Sequence, residues 1–201
     1  MARTIFALRR GPVRHSRDQT IVVEGDASDY IFLVISGVVR SFRSFQNGTR
    51  SIVSFYLPTE FFGLTNHPTH LLTAEAVTDA NILFFKRSAL FSMAKRESQI
   101  ADFLLTTTLT ELRRTQKYSL QISKSAKGRI ASVLVDLSKR MRTQTCLDLP
   151  MSHKDIADHL GMTIETLSRI ITQMENSGVI ARGRSHDLIL NNLQALAQMA
   201  D

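Results

Sequence analysis

Three side chains late in the sequence have the types and spacing to read a hydrogen-bonding surface: Glu165, Ser168 and Arg169. A carboxylate accepts from an amino group such as cytosine N4. A guanidinium donates bidentately to guanine O6 and N7, and a hydroxyl or apolar group meets thymine's methyl edge. At positions i, i+3 and i+4 the three share one face of a helix. Ile164 lies alongside, able to touch a methyl group.

The surrounding residues spell out the elements that must position them. Ser152 with Asp155 three residues on makes a capping box at the start of a first helix, and Ile156, Ala157 and Leu160 give that helix an apolar face. Gly161 stops it by entering the left-handed conformation at little steric cost, and Thr163 caps a second helix. Leu167, Ile170, Ile171 and Met174 form the buried stripe of the second helix, Gly178 ends it, and Glu165, Ser168 and Arg169 are left exposed. The small Ala157 lets the helices approach closely. This is the pattern of a DNA-reading helix-turn-helix. An ordinary helical hairpin has no reason to satisfy the joint spacing of Ile156, Ala157, Leu160, Gly161, Met162, Ile164, Leu167 and Ile170.

Ser152, His153, Thr163 and Thr166 sit at the two helix N-termini, where phosphates are positioned. Residues 179–181 and 187–190 alternate as two strands of a wing around Arg182, Gly183, Arg184 and Ser185. Arg182 and Arg184 can there meet the DNA backbone. Asn192 caps a short amphipathic helix through Leu193, Leu196, Ala197 and Ala200.

Upstream, residues 20–23, 30–36, 38–45, 49–56, 72–77 and 82–86 are short β-rich runs punctuated by turn residues, and Asn47-Gly48 is the strongest hairpin signal. They predict an antiparallel roll of jelly-roll type with Ile31, Leu33, Phe55 and Phe62 lining its interior. Residues 98–122 then turn helical. Ile100, Leu104, Leu109, Leu112 and Leu120 suit either a dimer seam or a helix that covers its own domain, and the dimer seam is preferred for its length. The stretch 123–128 reads as a hinge, followed by a helix over 126–142 that buries Ile130, Val133, Leu134 and Leu137. The fold class is therefore α+β: a β-roll (double-stranded jelly roll) over 1–96, a dimerisation helix over 97–123, and a winged helix-turn-helix DNA-binding domain over 124–201.

Composition bounds the reading further. A net charge of +7 over 201 residues favours a polyanionic partner, yet residues 120–201 hold ten Lys/Arg against eight Asp/Glu, so the helix pattern carries the inference more than bulk charge. Arg3, Arg9, Arg10, Arg14 and Arg17 make an early basic cluster beside Asp18. No apolar run is long enough for a bilayer and no secretory signal is evident, so a cytoplasmic protein without a membrane partner is expected. The single cysteine, Cys146, excludes an intramolecular disulfide or an all-cysteine cluster within one chain; it reads as a half-buried loop thiol or, in the alternative, a redox-reactive one.

A roll beginning GDASDYIFLVISGVVR, a long helix and a winged helix carrying GMTIETLSR together resemble the Crp/Fnr family of bacterial transcription regulators across nearly the whole chain. FYLPTEFFGL, PTH, AEAVTDA and FFKRSAL look like its FixK branch, associated with low-oxygen respiration, denitrification and nitrogen fixation. The resemblance implies an activator that forms a homodimer on double-stranded DNA, reads a palindrome similar to TTGAT and ATCAA separated by four base pairs, and contacts RNA polymerase. Glu165, Ser168 and Arg169 match the family's base-reading set.

Departures from the family pattern are as informative. Members that bind cyclic AMP keep a Gly-Glu pair and a later Arg-Ser pair; here Gly63 precedes Leu64, and the later region reads His70-Leu71-Leu72, so no cyclic nucleotide and no other cofactor is expected. The oxygen-sensing members need four cluster cysteines. His67 and His70 leave haem as a residual alternative, although HPTH reads as a surface loop. A cupin-like metalloenzyme is a remote one, since His67, His70 and Glu75 have no partner on a distant strand; no metal and no enzymatic activity are expected. Gly128, three residues after Ser125, removes a capping partner and predicts a mobile hinge. Little sequence precedes the first predicted strand.

Overall fold

The computed structural model describes residues 9–121, 123–183 and 187–200. Eight strands come first: β1 (Arg9–His15), β2 (Thr20–Val22), β3 (Tyr30–Ser36), β4 (Val39–Ser44), β5 (Arg50–Tyr56), β6 (Phe61–Phe62), β7 (Thr73–Ala76) and β8 (Ala80–Lys86). They form two antiparallel four-stranded sheets ordered β1-β8-β3-β6 and β2-β7-β4-β5. The Asn47-Gly48 turn behaves as its sequence dictates, with Gly48 at φ +78° and Ser44 opposite Arg50 across the hairpin.

Strand β1 is a correction, because the sequence offers little before residue 20 that looks like a strand. Its segment, RRGPVRH, carries Gly11 and Pro12, and its register against β8 slips between Arg10 and Val13. A proline cannot donate to a ladder, but an edge strand with a bulge tolerates one.

Alternation along β3 decides which side chains fill the roll. Phe32 and Val34 point inward, with Val39, Tyr56, Phe62, Ala74, Ala76, Ala80 and Ile82. Ile31 and Leu33 do not line the interior as expected. They lie on the opposite face with Leu83 and Phe85, under Leu90 and Ile100. A period of two sends neighbouring residues to opposite faces, and both faces of this strand are buried. Phe62 is interior as expected, and Phe55 is buried.

The helices covering that second face are α1 (Arg87–Ala94), absent from the sequence reading, and α2 (Ser98–Gln121). Ile100 is 1% exposed and belongs to the chain's own core, and the half-buried Leu104 packs against the same cluster. Further along the same side, Phe103 meets Phe61 edge-on at 5.0 Å, and the Arg114 guanidinium is held by Glu60 and Glu111. Leu105, Leu109 and Leu112, exposed by 59%, 49% and 49%, run along the other side, with Leu120 exposed beyond them.

The chain divides into two compact units, Met1–Thr115 and Gln116–Asp201, parting within α2. The second unit continues through α3 (Ala126–Arg140), β9 (Cys146–Asp148), α4 (His153–Leu160), α5 (Ile164–Asn176), β10 (Ile180–Arg182), β11 (Asp187–Leu190) and α6 (Leu193–Ala200). Its sheet has three strands, in the order β10-β11-β9. Only two of these strands are evident from the sequence, which places Cys146 in a loop; three residues with one buried side chain, Leu147, are too short a run to stand out.

Gly128 also gains a physical reason. A Cβ there would sit 3.1 Å from the Met199 carbonyl of α6, so the glycine admits the close approach of the last helix. Ser125 still caps α3 through the Gly128 N–H. Ser132 and Lys124 both donate to the Ala200 carbonyl, fastening α6 along α3.

Candidate nucleic-acid interface

The start of α4 is closed as its sequence specifies. The Ser152 hydroxyl accepts from the Asp155 N–H at 3.1 Å, and the Asp155 carboxylate accepts from the Ser152 N–H at 3.1 Å and from its hydroxyl at 2.7 Å. Ile156, Ala157 and Leu160 are buried. Gly161 ends α4 with φ +60° and ψ +46°, where a side chain would be strained, and its N–H returns to the Ala157 carbonyl. Thr163 then caps α5, its hydroxyl accepting from the Thr166 N–H at 3.2 Å.

On α5, Leu167, Ile170, Ile171 and Met174 are buried, which turns the intervening residues outward. Glu165 and Arg169 are exposed, Ser168 is half-buried, and Ile164 is 40% exposed. Among the described residues Arg169 has no ion-pair partner, so its full fork of donors is free. The Glu165 carboxyl is held below its ordinary value by its own backbone N–H and then by the Thr163 hydroxyl. An exposed glutamate is ionised at neutral pH and so is an acceptor only, the form that takes a hydrogen bond from an amino group.

The backbone-contact candidates divide. Thr163 and His153 are exposed and Thr166 half-buried at the helix starts. Ser152 is also exposed, but its hydroxyl proton is already given to Asp155. Arg182 is exposed at the end of β10, with its Nε donating to Glu175 at 2.7 Å. Arg184 lies outside the described residues. On the wing sheet, Cys146 is an exposed strand residue opposite Ile189, not a half-buried loop thiol.

The sensor-like alternatives fare unevenly. His67 is exposed and bonded to Thr69, whereas His70 is buried beside Phe32, 5.8 Å between ring centroids. The HPTH stretch is thus not wholly a surface loop, because His70 faces the aromatic interior. Burial pushes the His70 pKa down, opposed by the Asp26 carboxylate and assisted by Arg87. Glu75 is taken up in a 2.8 Å ion pair with the buried Arg40. Among the described residues no group of three His, Cys, Asp or Glu could hold a metal ion, and no helix is long and apolar enough to cross a membrane.

Two facing four-stranded sheets, a long helix and a winged helix-turn-helix define a class of DNA-binding regulators with a cyclic-nucleotide-binding type of roll. Residues 12–97 match the cyclic nucleotide-binding domain and residues 128–199 the Crp-like helix-turn-helix domain. The chain is 37% identical over 182 residues to the nitrogen fixation regulation protein FixK of Rhizobium meliloti, covering 90% of this chain and 83% of that protein. It is 29% identical over 193 residues to the transcriptional activator protein FnrL of Cereibacter sphaeroides, covering 91% of this chain and 78% of the relative. The solved structure of FixK2 from Bradyrhizobium japonicum superposes with a TM-score of 0.90 at 34% identity, covering 94% of this chain and 96% of that one. The chain belongs to the Crp/Fnr family of transcription regulators, in its FixK branch.

Proposed function

We propose that the protein is a homodimeric transcription activator of low-oxygen-response genes that binds a TTGAT/ATCAA-type palindrome and contacts RNA polymerase in the cytoplasm. The observation that carries this is the presentation of Glu165, Ser168 and Arg169 on the uncovered side of α5, with Glu165 held ionised and Arg169 unpaired among the described residues. Ile164 adds an exposed apolar contact for a thymine methyl. The main-chain N–H groups at the starts of α4 and α5, the Thr166 hydroxyl, His153 and the wing cations Arg182 and Arg184 supply the phosphate contacts, while the Thr163 hydroxyl, engaged with Thr166 and Glu165, holds the start of α5. Because the Ser152 hydroxyl proton is spent within the chain, Ser152 acts by holding the helix start.

The dimer forms through the exposed side of α2. Leu105, Leu109 and Leu112 are spaced four and then three residues apart, continued by Gln116 and Ser119, as d and a positions of a two-stranded seam are. Leu120, also exposed, flanks this seam.

The protein acts without a cyclic nucleotide. That reading is supported by Leu64 after Gly63 and by the engagement of the buried Arg40 with Asp18 and Glu75. It is also supported by the packing of Phe32, Tyr56 and Phe62 against one another inside the roll. The deciding experiment is a footprint on a TTGAT palindrome, with reductant and with oxidant, beside calorimetry with cyclic AMP. Protection of both half-sites is expected, with no measurable cyclic AMP heat; absence of protection, or micromolar cyclic AMP affinity, refutes the respective claim. A difference between the two footprints assigns a redox role to Cys146.

A further inference from the structure

The turn that launches α5 is held by two side chains from neighbouring helices, Arg129 of α3 and Tyr118 of α2. Arg129 lies in the first turn of α3, where a cation opposes the helix dipole. Its Nη1 donates to the Leu160 carbonyl at 2.7 Å, the last residue of α4 before the left-handed Gly161. A cation is favourable at that helix end, and the bond is charge-assisted. The same guanidinium buries its Nε without a hydrogen-bond partner among the described residues, a cost that the chain bears to keep the group in place. One residue earlier, the His159 ring lies against Tyr118 of the last turns of α2, with ring centroids 5.0 Å apart.

We propose that Tyr118 and Arg129 are positioning residues that fix the direction in which α5 presents Glu165, Ser168 and Arg169, and so set the half-site spacing the dimer accepts. Both grip residues 159–160, and only Gly161 and Met162 separate these from the Thr163 cap. A two-fold reader gains its affinity for a palindrome from engaging both halves at once, and loses that gain when geometry forbids it. Loosening the grip therefore leaves each α5 able to read a half-site while weakening simultaneous engagement. This inference rests on the dimeric reading above.

The test measures Tyr118→Ala, Tyr118→Phe and Arg129→Met against a single half-site, the four-base-pair-spaced palindrome, and palindromes with spacers of three and five base pairs. Expected for Tyr118→Ala and Arg129→Met is a loss of about tenfold or more on the native palindrome, half-site affinity within about twofold, and a flattened spacer preference. Tyr118→Phe, which keeps the ring, retains the native profile. Half-site and palindrome affinities falling together, or a palindrome affinity that does not fall, overturns the positioning role. A native protein that binds the palindrome no more tightly than the half-site overturns the dimeric reading, and this inference with it.

Discussion

Ser152 and Asp155 satisfy one another completely at the start of α4: hydroxyl to N–H at 3.1 Å in one direction, carboxylate to N–H at 3.1 Å and to hydroxyl at 2.7 Å in the other. Asp155 is buried, so removing the Ser152 hydroxyl takes one donor from its carboxylate and the acceptor from its N–H in a poor solvent. Ser152→Ala is expected to lower the stability of the DNA-binding unit by about 1 kcal/mol. Ser152→Thr retains most of it. Denaturant midpoints followed by a probe in that unit separate the two; equal midpoints for Ser152→Ala and the native protein contradict the cap's role.

Arg169 carries the sharpest statement about specificity. A bidentate contact to guanine is worth about 1–3 kcal/mol, so Arg169→Ala should weaken binding to the cognate site by that amount and lose discrimination against a G-to-A operator change. Direct titration of both operators with both proteins reads it. If Arg169→Ala discriminates as well as the native chain, guanine is read by another group.

Much of this interface was legible in the sequence because it is built from local signals. The capping box, Gly161, the Thr163 cap and the four buried residues of α5 each lie within a few residues of one another, and each has a physical consequence independent of the rest of the chain. The misreadings share the opposite property. Ile100 and Leu109 both read as apolar helix positions, and only the roll placed against one side of α2 tells them apart. Ile31 and Leu33 are one residue from Phe32 and Val34, and in a strand buried on both faces the side chains carry no mark of which face is which. β1 and β9 depend on partners far along the chain, β8 and β11, and their own sequences are poor strand signals.

The division of α2 into two sides gives opposite outcomes for two apolar residues nine positions apart. Leu109→Glu places a charge in the exposed seam, and is expected to raise the dimer dissociation constant by roughly tenfold or more while the folded monomer persists. Ile100→Ala removes a fully buried side chain packed over Leu83 and Phe85, and is expected to cost about 2–5 kcal/mol of roll stability. Analytical ultracentrifugation and thermal unfolding together test the pair. A monomer produced by Ile100→Ala at full stability, or an undisturbed dimer in Leu109→Glu, reverses the assignment of the two faces.

Tyr56 gives the roll a pH dependence whose direction follows from burial. Its hydroxyl lies 3.5 Å from Ser41, and its pKa is pushed up to about 12, first by burial and then by the Glu111 carboxylate, against the lowering influence of Ser41, Ser54 and Arg114. In the unfolded chain the phenol ionises near pH 10, so between pH 10 and about 12 the folded roll holds a proton that the unfolded chain has released. The stability due to this difference is whole below pH 10 and falls as pH rises through that window, by on the order of 2–3 kcal/mol in all. Tyr56→Phe removes the titrating group while keeping most of the ring's packing, so its unfolding free energy should decline less steeply than that of the native protein between pH 10 and 12. Parallel alkaline profiles for the two proteins would show that Tyr56 does not titrate differently on folding.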